Sequence, residues 1–171
     1  TTTGYTLESY DTWPGTAQLI IFFMFFIGGM AGSTTGGIKI VRTILVVKYI
    51  KAEITRMLHP RGVVNIKIGN KTINDDVVRN TMGFYLFYIL IFAICALIIS
   101  ISGYDFISSL SISASSIGNI GPGLGDIGPS SDVGWGGLND FTKYLATFCM
   151  LLGRLEIFTV IILFSRTYWK S

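Results

Sequence analysis

Two long stretches without a single charge limit what this chain can become. Residues 12–38 contain no Asp, Glu, Lys or Arg over 27 positions, and residues 80–104 contain none over 25. A helix that crosses a bilayer needs about 20 largely apolar residues. A third apolar stretch, 144–165, is interrupted only by Arg154 and Glu156. Half of all residues are hydrophobic and 13% are charged, against roughly 25% charged in a soluble domain. The mean hydropathy is +0.59. These values exclude a disordered chain, a nucleic-acid-binding domain and a disulfide-stapled secreted module. They predict membrane lipid as a partner and no nucleic acid. The chain carries no signal-peptide pattern, and it reads as a piece of a longer membrane protein.

The basic residues orient the spans. Nine of the 13 Lys and Arg residues fall between 39 and 79, and segments 1–16 and 103–139 hold none. Cytoplasmic loops are enriched in Lys and Arg. Residues 39–79 are therefore placed inside and residues 1–12 and 103–137 outside, with Arg166 and Lys170 returning inside. The fold class implied is an all-α membrane protein. Helix one begins near Trp13-Pro14 and runs through Ile27. A second piece covers about 38–57. The cytoplasmic loop 58–75 contains two short alternating runs around Gly69-Asn70, which predict a small β-hairpin over Val63–Ile73. An outer helix spans 76–102, and a last helix spans 138–166.

Between those last two helices lies a segment that can neither span nor stay helical. Residues 105–117 (DFISSLSISASSI) are too short to cross, and Gly118-Asn-Ile-Gly-Pro-Gly-Leu-Gly125 cannot form a regular helix. Non-helical backbone at membrane depth is tolerated only when buried in protein or lining water. A short helix (105–117) followed by a glycine-rich strand (118–125) is the pattern of a re-entrant pore loop, whose carbonyls replace an ion's hydration shell. The start of the chain repeats it. Thr2-Thr3-Gly4-Tyr5 precedes a Trp and an apolar helix, as Asn119-Ile120-Gly121-Pro122 does. From Gly4 to Gly28 is 24 residues, and from Gly121 to Gly153 is 32. The chain thus divides into 1–57, the end of one pore repeat; 58–75, the cytoplasmic loop; and 76–171, a complete repeat.

Residues 28–37 hold five glycines in ten positions, together with Ser33, Thr34 and Thr35. Each glycine costs roughly 1 kcal/mol in a helix relative to Ala. The break falls below the filter strand, and Gly28, Gly29, Gly32, Ser33, Thr34, Thr35, Gly36 and Gly37 are expected to form a gate. A close-packing small-residue surface is the bland alternative, but it does not explain Ser-Thr-Thr. Arg154 lies inside an apolar span, where a charge is costly and usually functional. It is expected to face the pore and to contact the 28–37 loop. Glu156, two residues on, points elsewhere, with Lys39 or Arg42 as partners. A structural ion pair is the alternative for Arg154. His59 reads as a surface loop residue, and Cys95 and Cys149 as small hydrophobes. No catalytic set or phosphate motif is present, so no enzyme is expected.

The motifs TTTGY, GGMAGSTTGGIKIVR, HPRGVVNIKIGNKTI, SIGNIGPGLGDIGP and MLLGRLEIFT occur in that order and cover essentially the whole chain. Together they resemble the Trk-type potassium transporters of the Trk/Ktr/HKT superfamily, nearest to the bacterial Trk branch. The resemblance implies a potassium-channel-like pore of four repeats, of which this chain carries the end of the third and all of the fourth. It implies potassium as the ion bound at Thr2, Thr3, Gly4, Tyr5, Asn119, Ile120, Gly121 and Pro122, and Arg154 as the inner-helix arginine beneath them. It further implies a homodimer in the bacterial inner membrane, the missing N-terminal repeats as intrachain partners, a cytosolic nucleotide-binding regulatory subunit, and no cofactor. It is compatible with channel-like flux and with H⁺ or Na⁺ symport. A sodium or mixed monovalent-cation transporter is an alternative within the same fold. A non-conducting membrane scaffold is the alternative from another class.

Overall fold

The computed structural model describes every residue except 1, 31, 60, 61, 63, 64, 70, 165–168, 170 and 171, and omits the side chains of 71, 158, 161, 163 and 164. The chain is mostly helical. In chain order it forms α1 (Gly15–Met24), α2 (Ile40–Leu58), β1 (Lys67–Ile68), β2 (Lys71–Thr72), α3 (Asp75–Ile101), α4 (Phe106–Gly118), α5 (Asp140–Arg154) and α6 (Ile157–Phe164). Short 3-10 turns stand at Tyr10–Thr12 and Gly125–Ile127.

α3 is the one described helix long and apolar enough to cross a membrane. Its 27 residues rise about 40 Å at 1.5 Å each. One side is buried through Val78, Phe84, Tyr88, Cys95 and Ile99, and the other exposes Leu86, Leu90, Leu97 and Ile101. α4 lies between α3 and α5. Ile117 at its lower end packs with Ile38, Phe84, Tyr88, Cys95, Cys149 and Ile157. Ile112, nearer its start, packs with Ile99, Ile127 and Leu138. Cys95 and Cys149 behave as buried apolar residues and also meet, with their sulfurs 2.9 Å apart.

A separate small core joins α2 to the strands. Leu45 and Ala52 pack on Ile66 and Val78, and Lys48 Nζ donates to the Lys67 carbonyl at 2.6 Å. β1 and β2 pair antiparallel, Lys67 with Thr72 and Ile68 with Lys71, around Gly69 at φ 58. Val63, Val64 and Asn70 of the expected hairpin lie outside the described residues.

Three expected boundaries differ from the structure. Helix one stops at Met24 rather than running through Ile27, because Ile27 turns extended to bridge Ile38 in parallel. The expected strand 118–125 is shorter, since Gly118 closes α4 and Gly125 opens a 3-10 turn. The expected last helix, 138–166, is two helices. Leu155 (φ −84, ψ 5) ends α5, and Glu156 at φ 59 is left-handed, which no helix continues through. Leu138 and Asn139 precede α5 instead of opening it, and Asn139 caps it, with Oδ1 accepting from Thr142 N at 2.8 Å. Arg166 and Lys170 lie outside the described residues.

Candidate functional site

The site starts from a helix rich in serine. Asp105 caps α4 by accepting from Ile107 N at 3.3 Å. Small side chains then let α4 sit buried between two helices. A buried hydroxyl needs a hydrogen-bond partner, and all six buried serines of α4 have one. Ser108, Ser111 and Ser115 are spaced by three and four residues and so share a face. All three reach the returning chain. Ser108 Oγ accepts from Asp126 N at 3.0 Å, and Ser111 Oγ accepts from Leu124 N. Ser115 Oγ donates toward Gly121 O and Pro122 O at 3.0 and 3.1 Å. Trp135 Nε1 donates to the same Gly121 oxygen at 2.7 Å. Ser109 donates to Tyr104 O, Ser113 to Phe92 O and Ser116 to Ile112 O. The serines thus bolt an extended segment, 119–124, back along the helix it leaves.

At the turn itself, Asn119 takes φ 52 and ψ 45, a left-handed cap tolerated by Asn. Its side-chain amide donates to Met150 O on α5 at 3.0 Å. Gly121, two residues on, has φ 103. The N-terminal segment has the same backbone signs at the same spacing, Thr2 at φ 55 and Gly4 at φ 76. The two segments meet. A Cβ on Gly4 would stand 2.8 Å from the Ile120 carbonyl oxygen.

Beneath this junction lies the 28–37 loop. Its neck is closed by Gly28 N donating to Ile38 O at 2.7 Å and Ile40 N to Gly29 O at 3.1 Å. Inside it, Gly29 N donates to Thr35 Oγ1 at 3.0 Å, and Thr35 Oγ1 donates to Ser33 Oγ at 3.1 Å. Lys39 Nζ donates to the carbonyls of both Ser33 and Thr35. Gly36 presses on the end of α4 so closely that a Cβ there would collide with the Gly118 carbonyl. Thr2, Gly118 and Ile120 above, and Gly28 and Gly36 below, line one cavity of about 180 Å³ with Met24, Phe25 and Ile27. On the loop's other side, Gly32, Ser33, Thr34, Thr35 and Gly37 share a cleft of about 390 Å³ with Gly153 and Arg154.

Most residues singled out from the sequence are brought together: Thr2, Gly4, Asn119, Ile120, Gly121 and Pro122 at the junction, and the loop glycines and hydroxyls with Arg154 below it. Thr3 is exposed, and Tyr5 is 94% exposed. Glu156 pairs with Arg42, not Lys39, at 2.9 Å. Among the described residues Arg154 has no ion-pair partner. Sequence reasoning missed the serine face, Trp135 and Lys39. The spacing of Ser108, Ser111 and Ser115 carried a usable signal, because 3-and-4 spacing on a short buried helix aligns hydroxyls.

Comparison with known proteins places the chain in a family. The TrkH model, described as a cation transport protein, matches residues 1–171. The chain is 35% identical over 171 residues to the Trk system potassium uptake protein TrkH of Halomonas elongata, and 39% identical to that of Vibrio parahaemolyticus. It spans about a third of the length of these relatives, 35% and 34%. It superposes on the crystal structure of the potassium transporter TrkH from Vibrio parahaemolyticus with a TM-score of 0.87 at 39% identity, over 99% of this chain and 35% of that one. With two glycine-turned segments meeting over a glycine loop, and matches along its full length, the chain belongs to the TrkH family of cation transport proteins.

Proposed function

We propose that this chain forms part of a potassium uptake pathway across the bacterial inner membrane, with the 1–5 and 118–123 segments as two sides of a carbonyl filter and the 28–37 loop as its gate. The observation that carries the reading is the cavity between Gly118 and Ile120 above and Gly28 and Gly36 below. A filter must open onto a space below it, and irregular backbone at membrane depth is tolerated where it is buried in protein or lines such a space. Relatives named as potassium uptake proteins support the choice of ion.

Within the proposal the ion-contacting backbone is that of Thr2, Thr3, Gly4, Asn119 and Ile120. Gly121 O accepts from Trp135, and it shares the single Ser115 hydroxyl hydrogen with Pro122 O. Gly121 and Pro122 therefore hold the shape of the turn. Glycine at positions 4 and 121 supplies positive φ, which lets successive carbonyls change direction. Tyr5 belongs to the face left for the remaining repeats.

The loop blocks the path by inserting below the filter. Lys39 and the Ser33–Thr35 hydroxyls hold it there, and Arg154 places a positive charge beside it that opposes cation passage. The missing repeats complete the ring around the ion. A homodimer, a nucleotide-binding regulatory subunit and surrounding lipid complete the assembly.

The test uses the full-length protein in liposomes, reading ⁸⁶Rb⁺ uptake with Na⁺ as competitor. Uptake suppressed by K⁺ more than by Na⁺ is expected. Equal suppression supports the mixed-cation alternative, and no uptake supports a scaffold. Deleting Ser33–Gly36 is expected to raise uptake; unchanged uptake removes the gate.

A further inference from the structure

We infer that Arg42 is a positioning residue that ties the cytoplasmic helix α2 to the gate, acting through Glu156 and Phe84. The inference rests on the gate reading above and deepens it. One side chain, in the first turn of α2, touches two distant parts of the chain. Arg42 Nη2 lies 2.9 Å from Glu156 Oε2, at the break between α5 and α6, across 114 residues of sequence. Its guanidinium carbon sits 4.1 Å from the centre of the Phe84 ring on α3. Arg suits this double duty, because its planar fork can pair with a carboxylate while its face lies on a ring.

The location gives the contact its consequence. Arg42 stands three residues after Lys39, whose ammonium holds the Ser33 and Thr35 carbonyls. Glu156 stands two residues after Arg154, which shares a cleft with that same loop. Glu156 is also the left-handed residue, at φ 59, that separates α5 from α6. An ion pair at that residue therefore links both ends of the gate's surroundings, the loop's exit and the arginine facing it. A shift of α2 must either carry Glu156 with it or part from it. In the first case Lys39 and Arg154 change their positions against the loop together; in the second the latch is broken and the loop loses that restraint.

The strength is right for a switch. The two side chains are 28% and 49% exposed, so the ion pair alone is weak, and the ring contact adds a comparable amount. Such a latch biases the closed loop without locking it.

The test is a charge cycle in the full-length protein in liposomes. Glu156→Gln is expected to raise resting ⁸⁶Rb⁺ uptake about fivefold, and Arg42→Gln, which also loses the ring contact, by more. The double variant is expected to match Arg42→Gln alone. Arg42→Glu combined with Glu156→Arg is expected to lower uptake well below that of Arg42→Gln, because the ion pair returns while the ring contact does not. Singles that leave uptake unchanged, or a double variant whose effect is the product of the singles, overturn the proposal.

A second measurement does not depend on transport. Ser33→Cys is labelled by a membrane-impermeant maleimide, read above the parent's background. Labelling should quicken about fivefold in Arg42→Gln and slow again in the charge swap. A labelling rate indifferent to the pair overturns the coupling. If labelling follows the pair while the parent takes up no Rb⁺, the coupling stands and the transport reading falls.

Discussion

Gly28 and Gly153 stand at matching places below the two turns, yet the chain beyond them behaves differently. After Gly28 the backbone stays out of helix until Ile40 and folds into a loop closed by its own hydroxyls and by Lys39. After Gly153 it leaves the helix only at Leu155 and Glu156, then resumes as α6. Both glycines are needed for close approach. A Cβ on Gly153 would strike the Ile117 carbonyl, and one on Gly28 would crowd the Gly36 carbonyl. The difference lies in the residues that come next. Four more glycines and three hydroxyl residues offer a loop its own internal partners, whereas Arg-Leu-Glu after Gly153 supplies helix formers. One segment thus folds back as a self-bonded loop, and the other holds α4 in place.

That contrast can be broken by substitution, taking the largest effect first. Gly153→Ala sets a methyl group against backbone that cannot move without dragging α4, and is expected to cost about 3 kcal/mol. The measurement is thermal unfolding of the purified full-length protein. Gly36→Ala creates the same kind of collision, with the Gly118 carbonyl, but on a loop that can shift; about 1–2 kcal/mol is expected. Equal losses at the two sites would make the loop as rigid as the helix. Ser115→Ala removes the donor to Gly121 O and Pro122 O, for about 1 kcal/mol. Its sharper readout is a lowered preference for K⁺ over Na⁺ in the uptake competition, because Asn119 and Ile120 then lose their anchor. Gly32→Ala comes last. Its φ is +84 with nothing within 4 Å of the new methyl group, so only backbone strain of about 1 kcal/mol is expected. A larger loss there would mean that the loop makes contacts with the rest of the transporter.

Much of the fold was readable because its signals are local. A charge-free run of 25 residues has one stable form in lipid, and α3 matches its expected limits to within one residue at each end. The short helix 106–118 and the glycine break were equally plain, since neither length nor composition allowed a span. The break at Glu156 was not readable. Nothing between 153 and 160 is a helix breaker beyond Gly153 itself, and the left-handed turn there accompanies an arginine 114 residues away. Helix one also looked longer than it is. Phe25, Phe26 and Ile27 suit a helix by composition, but Ile27 is drawn into a bridge with Ile38.

The candidate site divides in the same way. The residue types were legible: glycines for turns that side chains forbid, hydroxyls for a polar break and one charge inside an apolar span. Their partners were not. The engagement of Gly121 O by Trp135, of the loop carbonyls by Lys39 and of Asn119 by Met150 O depends on segments 14, 4–6 and 31 residues apart.

By itself, the sequence determined that this chain belongs to a membrane protein, that 76–102 is one long apolar helix, and that the glycine-rich segments leave the helix, because apolar length and glycine content act at each position alone. Only the tertiary structure decided which donors engage the Gly121 and Pro122 carbonyls and that the Gly4 and Ile120 backbones meet. A carbonyl's engagement is set by the donors around it, and those donors come from α4 and the segment before α5, which only packing brings together.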